Sequence, residues 1–446
     1  MNRTSEKGAA SAAPGLLSGA YRTVWRMHFF AGLISLPFLM LMALTGAIYL
    51  FKPEIDDWQT RGVAAIAPSR ALTVPAAWAE AAATAVPGRV ATILVPERED
   101  RAVKVTVEAE DGSRRAVFVD PSNARVTGTA PAEGVTETVK EIHSLVLFGP
   151  GLNILVELVA GWSMILVATG VFLWWPRKRD AGVVTIKARA GRPLWRDIHA
   201  VTGLYAGAVI FFLAATGMPW SAVWGDEVMG AVREAGFGRP AAPAASEWIH
   251  AEHGDAPQGA GWTLEHAGMT AAPAPIDLDR ILASAEDAGM PRPFLVTLPA
   301  SPDRAVTVAY ENARSEDARV IYFDRTGDVL RDITATDFGT GARAFEWGIA
   351  VHQGTQYGQI NRWIMLGACV AVWVLAISAL IMWWKRRPKG RLGAPVAPPG
   401  PRAKVAVLAI VLPLAVLYPL TGLSLVVAVV LDRIVSALNP TSAPAA

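Results

Sequence analysis

The sequence predicts an α-helical membrane bundle: a four-helix core from a duplicated two-helix unit, a fifth helix beside it, and two small α+β modules outside the bilayer. Three observations predict it. Only 18% of the 446 residues are charged and mean hydropathy is +0.32, which separates the chain from ordinary soluble proteins. Five apolar stretches are each long enough to cross a hydrocarbon core of about 30 Å, which takes roughly 20 helical residues. Two pairs of histidines recur at matching places in those stretches.

The stretches run from Met27 to Phe51, Leu152 to Trp175, Ile198 to Trp220, Trp363 to Trp384 and Val405 to Leu431. A polar segment, residues 1–26, precedes the first, and no small-residue cleavage site follows a short apolar core, so the stretch is expected to be retained. Arg22 and Arg26 flank the first stretch. Arg177-Lys178-Arg179 with Lys187, Arg189 and Arg192 fill the loop between the second and third, and Lys385-Arg386-Arg387, Lys389 and Arg391 follow the fourth. By the positive-inside rule these segments are cytoplasmic. The long loops and the C-terminus then lie outside, which in a bacterial inner membrane means the periplasm. The one cysteine, Cys369, sits inside an apolar stretch, so no intrachain disulfide forms and a thiol mechanism is disfavoured.

Each long loop reads as an α+β module, residues 52–135 and 274–345. In the first, Pro75 to Ala85 is helical, and Ala91 to Val95, Ala102 to Glu108, Arg115 to Val119 and a run at Val126 are strand-like, with a turn at Asp120-Pro121-Ser122-Asn123. The second repeats that order: Leu278 to Ala288 helical, then Phe294 to Leu298, Ala305 to Ala309, Val320 to Phe323 and a run from Val329, with a turn at Asp324 to Asp328. Between the third stretch and the second module, residues 221–273 are read as an insertion, poor in structure from Phe237 to Pro273. Segments 136–151 and 346–362 are expected to lie at the membrane interface, and the Pro/Gly-rich run from Pro388 to Arg402 is a cytoplasmic linker.

The repeat carries the chemistry. A shift of 199 − 28 = 171 superposes His28 on His199, Gly32 on Gly203, Thr45 on Thr216 and Gly46 on Gly217. A shift of 352 − 143 = 209 superposes His143 on His352 and Trp174-Trp175 on Trp383-Trp384. A unit of two membrane helices keeps its orientation when duplicated, so the copies are related by an axis along the membrane normal and equivalent residues share one depth. His28 and His199 then lie near the cytoplasmic face, His143 and His352 near the periplasmic face. Two imidazoles across an axis inside a bundle are what a six-coordinate haem requires.

Gly32 and Gly203 follow their histidines by one helical turn, where a missing side chain either lets a macrocycle lie against the backbone or permits close helix packing. Arg26 and Arg196 inside, and Lys140 and Arg362 outside, are candidate partners for haem propionates. The four tryptophans beside the basic clusters read better as an interfacial aromatic belt. A lone histidine at a helix end is usually a surface or capping residue; duplication at matched depth sets these four apart. His250, His253 and His266 lie in the insertion, and His250-x-x-His253 without further ligands reads as solvated loop. No phosphate-cradling loop, dinucleotide fingerprint or hydrolase arrangement is present, and no nucleic-acid partner is expected.

Trp25-Arg26-Met27-His28 with Ala43-Leu44-Thr45-Gly46, Glu141-Ile142-His143-Ser144-Leu145, Asp197-Ile198-His199 with Ala215-Thr216-Gly217, and Tyr418-Pro419-Leu420-Thr421-Gly422 resemble the PepSY-associated transmembrane helix family. The two loop modules resemble PepSY domains. The resemblance covers nearly the whole chain. It implies an inner-membrane ferric-siderophore reductase with two b-type haems, one between His28 and His199 and one between His143 and His352. Electrons would come from a cytoplasmic flavin- or NAD(P)H-linked donor or from the quinol pool, and reach a periplasmic ferric complex; the cytoplasmic flavin reductase domain carried by some members is not expected in this chain. Two other functions stay open: a membrane-anchored PepSY regulator or inhibitor of peptidases without a cofactor, and a quinol-oxidising cytochrome b serving another periplasmic acceptor.

Overall fold

Long apolar runs with charges only at their ends fold here, as hydropathy requires, into helices that satisfy their own backbone groups. The computed structural model describes residues 16–68, 72–175, 184–240, 275–301, 304–311, 314–387 and 412–438. The helices are α1 (Leu16–Tyr49), α2 (Lys52–Ala64), α3 (Pro75–Ala85), α4 (Val135–His143), α5 (Asn153–Trp174), α6 (Gly191–Gly217), α7 (Trp224–Glu234), α8 (Leu278–Asp287), α9 (Thr340–His352), α10 (Gly358–Arg386) and α11 (Pro419–Leu438). The strands are β1 (Gly88–Val95), β2 (Val103–Ala109), β3 (Arg114–Asp120), β4 (Arg125–Pro131), β5 (Phe294–Thr297), β6 (Val306–Tyr310), β7 (Arg319–Phe323) and β8 (Val329–Thr334).

Among the described residues four helices are long and apolar enough to cross a membrane: Val24–Tyr49, Asn153–Trp174, Gly191–Trp220 and Gly358–Arg386. They coincide with the first four expected stretches. Of the fifth, residues 401–411 lie outside the described residues; residues 412–417 are helical, the chain bends at Tyr418, and α11 resumes at Pro419, whose ring nitrogen has no hydrogen to donate. The cluster Arg177-Lys178-Arg179, the residues Lys389 and Arg391, the linker from Pro388 to Arg402, and His250, His253 and His266 also lie outside the described residues.

The chain forms two compact units. One contains the helical segments up to Leu44, residues 151–224 and those from Gly367 onward. In it α6 runs along α5, with Gly207 beside Val167. α11 seats on α5 where Thr421 meets Gly161 so closely that a Cβ on that glycine would lie 1.9 Å from Thr421 Oγ1. Trp162 Nε1 donates to Ser424 Oγ at 3.0 Å in the same contact.

The other unit, Thr45–Pro150 with Gly225–Leu366, is built on one antiparallel eight-stranded sheet in the order β4-β3-β2-β1-β5-β6-β7-β8. Alternate residues of each strand face opposite sides. On one side Val105, Val117, Phe294, Val308 and Ile321 pack with Trp78 and Ala82 of α3 and Ile281 and Leu282 of α8. On the other side α2 covers Ala116 and Phe118 at one end, and Phe338 with Ala342 of α9 covers Val320 and Tyr322 at the other. The two modules expected from the sequence are thus joined into one sheet through β1 and β5, which pair from Thr92↔Thr297 to Val95↔Phe294. Neither strand carries a charge or proline along that pairing, so each would be an unprotected edge alone. α2, read from the sequence as loop, and α7, inside the expected insertion, are additional helices.

Gly88 opens β1 with φ +158°, and a Cβ there would lie 2.2 Å from the carbonyl oxygen of Glu108. Gly88→Ala is therefore expected to destabilise this unit by at least ~1 kcal/mol, since the backbone cannot yield as a side chain can. A lowered thermal midpoint in the purified protein checks it; an unchanged midpoint contradicts the packing at β1–β2.

Candidate functional site

His28 lies in α1 and His199 in α6, and the fold brings their rings together, centroids 6.3 Å apart and planes at 86°. His28 Nδ1 is 2.9 Å from Thr169 Oγ1 on α5. The threonine hydroxyl donates to the Ile165 carbonyl at 2.6 Å, so toward His28 it accepts, and Nδ1 carries the hydrogen. His199 Nδ1 is 3.1 Å from the carbonyl of Leu375 and 3.0 Å from Ser378 Oγ on α10. A carbonyl only accepts, and Ser378 donates to that same carbonyl, so Nδ1 of His199 is the donor as well. Both rings are left with an Nε2 lone pair, the form of imidazole that ligates a metal while its other nitrogen donates to a fixed acceptor.

The spacing can be tested against a ligand set. With metal–nitrogen bonds of about 2 Å and each ligating nitrogen roughly 1 Å from its ring centre, two imidazoles on opposite faces of one iron place their centroids about 6 Å apart. The observed 6.3 Å fits. A Cβ on Gly32 would meet its nearest neighbour, Leu166 Cδ2, at 3.7 Å, and one on Gly203 would meet Leu375 Cδ2 at 3.7 Å. These are ordinary contacts, so helix packing does not require glycine at either position, in contrast to Gly161. Gly170 lies against the His28 ring, where a Cβ would come 3.5 Å from Cε1.

His143 ends α4, with Nδ1 2.9 Å from Thr45 Oγ1, a buried hydroxyl near the end of α1. His352 ends α9 in a half-buried position. Each histidine therefore closes a short helix that leads toward a membrane-spanning one. The left-handed conformation of Leu145 and Gly149 turns the chain after His143, and that of Gly354 and Gly358 does so after His352.

The cations are placed as follows. Arg26 stacks 5.3 Å over the ring of Phe30. Arg196 pairs with Asp197 at 2.8 Å, and that carboxylate also accepts the backbone N–H groups of Lys187 and Ala188. Lys140 pairs with Glu137 at 2.8 Å, and Arg362 pairs with Glu54 while lying 5.5 Å over the ring of Phe51. Burial opposes the charge on Glu54, but the hydrogen bond and charge of Arg362 outweigh it and hold the carboxyl below its ordinary value. At the other helix ends, Trp174 and Trp175 have ring centroids 6.3 Å apart, as do Trp383 and Trp384, with Arg387 3.5 Å over Trp384.

Sequence reasoning missed Thr169 and Ser378. The signal was present: 378 − 169 = 209, the shift that relates His143 to His352. Leu166 and Leu375 differ by the same amount and touch the equivalent glycines. Among the described residues no group of three or more His, Cys, Asp or Glu converges on a metal position.

No curated protein matches the chain. The family described as the PepSY-associated TM region matches residues 25–386, a span that holds the four membrane helices, both strand groups and all four paired histidines. The chain is a membrane protein and belongs to the PepSY-associated transmembrane family.

Proposed function

We propose that this chain is an inner-membrane dihaem b-type reductase that moves electrons from the cytoplasmic side to a periplasmic ferric complex, a ferric siderophore, for iron acquisition. The observation that carries the reading is the His28–His199 pair, 6.3 Å between centroids with each Nδ1 already donating to a fixed acceptor. His28 and His199 would hold the haem, which when bound would supply one-electron transfer. The chain's own part is to hold the imidazoles: Thr169 orients His28, Leu375 and Ser378 orient His199, and Gly32 and Gly203 keep side chains away from the space one turn on. His143, oriented by Thr45, and His352 are proposed to serve the second haem.

The contacts favour a duplicated two-helix unit. The histidine-to-hydroxyl and glycine-to-leucine pairs recur at shifts of 171 on the first helix and 209 on the second. Likewise α3 with β1–β4 and α8 with β5–β8 follow one order, consistent with two PepSY-like copies merged into one sheet. The basic segments support an orientation with the N-terminus in the cytoplasm and the sheet unit and C-terminus in the periplasm. The donor is a flavin- or NAD(P)H-linked protein or quinol. Hard oxygen chelators hold ferric iron more tightly than ferrous, so one electron releases it.

A reduced-minus-oxidised absorption spectrum of the detergent-purified chain, with a pyridine haemochrome count, tests the proposal. Two b-type haems per chain, low-spin in both redox states, are expected. Protein repeatedly isolated without haem from haem-replete cells overturns the reductase and leaves the PepSY regulator as the better reading.

A further inference from the structure

One end of the helical unit collects cations and indoles. α10 and the residue after it finish as Trp383-Trp384-Lys385-Arg386-Arg387, and the last four of these are exposed. Arginines at the end of a membrane helix ordinarily extend away from the apolar surface into water. These two fold back instead. The Arg386 guanidinium lies 5.2 Å over the ring of Trp25 on α1, and that of Arg387 lies 3.5 Å over Trp384 and 5.4 Å over Trp383. Trp25 in turn stacks on Phe29, with centroids 5.6 Å apart and planes at 3°. Both cations are thereby held at the level of the tryptophans, which in a membrane is the level of the lipid headgroups.

No carboxylate of the described residues pairs with Lys385, Arg386 or Arg387. In the described segments at this end, residues 16–28, 170–175, 184–200 and 380–387, the one carboxylate is Asp197. It is buried, and Arg196 and the backbone N–H groups of Lys187 and Ala188 already engage it. A guanidinium lying on a ring spends its face there and keeps its in-plane N–H fork for an acceptor, the geometry that grips a phosphate through two oxygens. Cations near the last carbonyls of a helix also offset its dipole, but that needs charge alone and not a stacked fork. On the proposed orientation this end meets the cytoplasmic leaflet, whose surface is anionic.

We propose that Arg386 and Arg387, with Lys385 beside them, seat the phosphate of an anionic phospholipid headgroup where the end of α10 meets the start of α1. The three cations are exposed, so the headgroup reaches them from the lipid surface without an enclosed cavity. The seat does not depend on the reductase reading. The full-length chain, delipidated in neutral detergent, is titrated with phosphatidylglycerol or phosphatidylcholine, and bound lipid is counted by native mass spectrometry; thermal midpoint and haem content are measured on the same preparation. Phosphatidylglycerol is expected to bind in preference. Arg386→Gln and Arg387→Gln are each expected to weaken it about fivefold, the share of one cation at a headgroup surface, and the pair roughly twenty-fivefold. Arg386→Lys with Arg387→Lys keeps both charges and loses the fork, so it is expected to restore binding only in part. Arg192→Gln, which removes an exposed cation from the same end, is expected to leave binding nearly unchanged. Lipid-free midpoints and haem contents should stay close to wild type. Equal binding of the two lipids, undiminished binding by the Gln pair, full recovery by the Lys pair, or an equal loss in Arg192→Gln overturns the proposal. Displacement of the lipid by an equal concentration of inorganic phosphate overturns it too, as does an acidic protein that copurifies with wild type and is lost from the Gln pair while the lipid stays. A lowered lipid-free midpoint in the Gln pair would assign the two arginines to packing of α10 on α1 and likewise overturn it.

Discussion

His28→Ala or His199→Ala is expected to remove one of two b-type haems from the purified chain and leave the other, while His143→Ala or His352→Ala does the converse. The first half follows from the geometry. Both rings of the His28–His199 pair hold their hydrogens on Nδ1, against Thr169 on one side and Leu375 with Ser378 on the other. Each ring can offer only Nε2, so a haem held by this pair would lose one of its two imidazoles on removal of either histidine. The pyridine haemochrome count is expected to fall by half in each single variant, with the remaining signal still low-spin. Loss of both haems from every variant, or of neither, contradicts the pairing. Thr169→Val is a useful companion, since it keeps the ligand and removes only its orientation.

Phe294→Ala is expected to cost ~3–5 kcal/mol of stability in the sheet-bearing unit, the range for deleting a buried aromatic side chain. Phe294 is fully buried in the cluster shared with α3 and α8, and its strand position pairs it with Val95 on β1 and Tyr310 on β6. It therefore sits where the two groups of strands meet. Against a typical domain stability of about 5–15 kcal/mol, the loss is large enough to unfold part of the population at growth temperature. Thermal unfolding of the purified chain, compared with Val329→Ala at a half-exposed position on β8, measures it. A midpoint no lower than that of the Val329 variant would contradict the shared core.

What was legible in the sequence was local. The helix Pro75–Ala85 and the alternating runs around Ile93, Val105, Val117, Val296 and Val308 declared themselves because burial on one face imposes a period of two over a few residues. The joining of β1 to β5 was not legible, because it pairs residues some two hundred positions apart and leaves no periodic trace in either strand. α2 has no such stripe to announce it; Pro53 stands in its first turn, where proline is well tolerated.

The site divides in the same way. Duplicated histidines can be found by shifting the sequence against itself, and the fold brings His28 and His199 together. The carboxylates beside Arg196 and Lys140 were within reach of inspection, being Asp197 next door and Glu137 one turn back. Glu54, which meets Arg362, lies 308 positions away and only the fold supplies it. Arg386 reads in sequence as one of a basic run; its seat over the Trp25 ring exists only in three dimensions.

The strand order β4-β3-β2-β1-β5-β6-β7-β8 reads the same from either end, with its midpoint at an antiparallel pair. An antiparallel central pair is the contact two identical subunits make across a twofold axis, each offering the same edge to the other. Severed there, either half would expose an edge without charge along the residues now paired and would pair with a second copy of itself or with whatever other edge it met. Here one covalent chain supplies both edges at a fixed stoichiometry, so the assembly does not depend on protein concentration, and each half is free to diverge from the other.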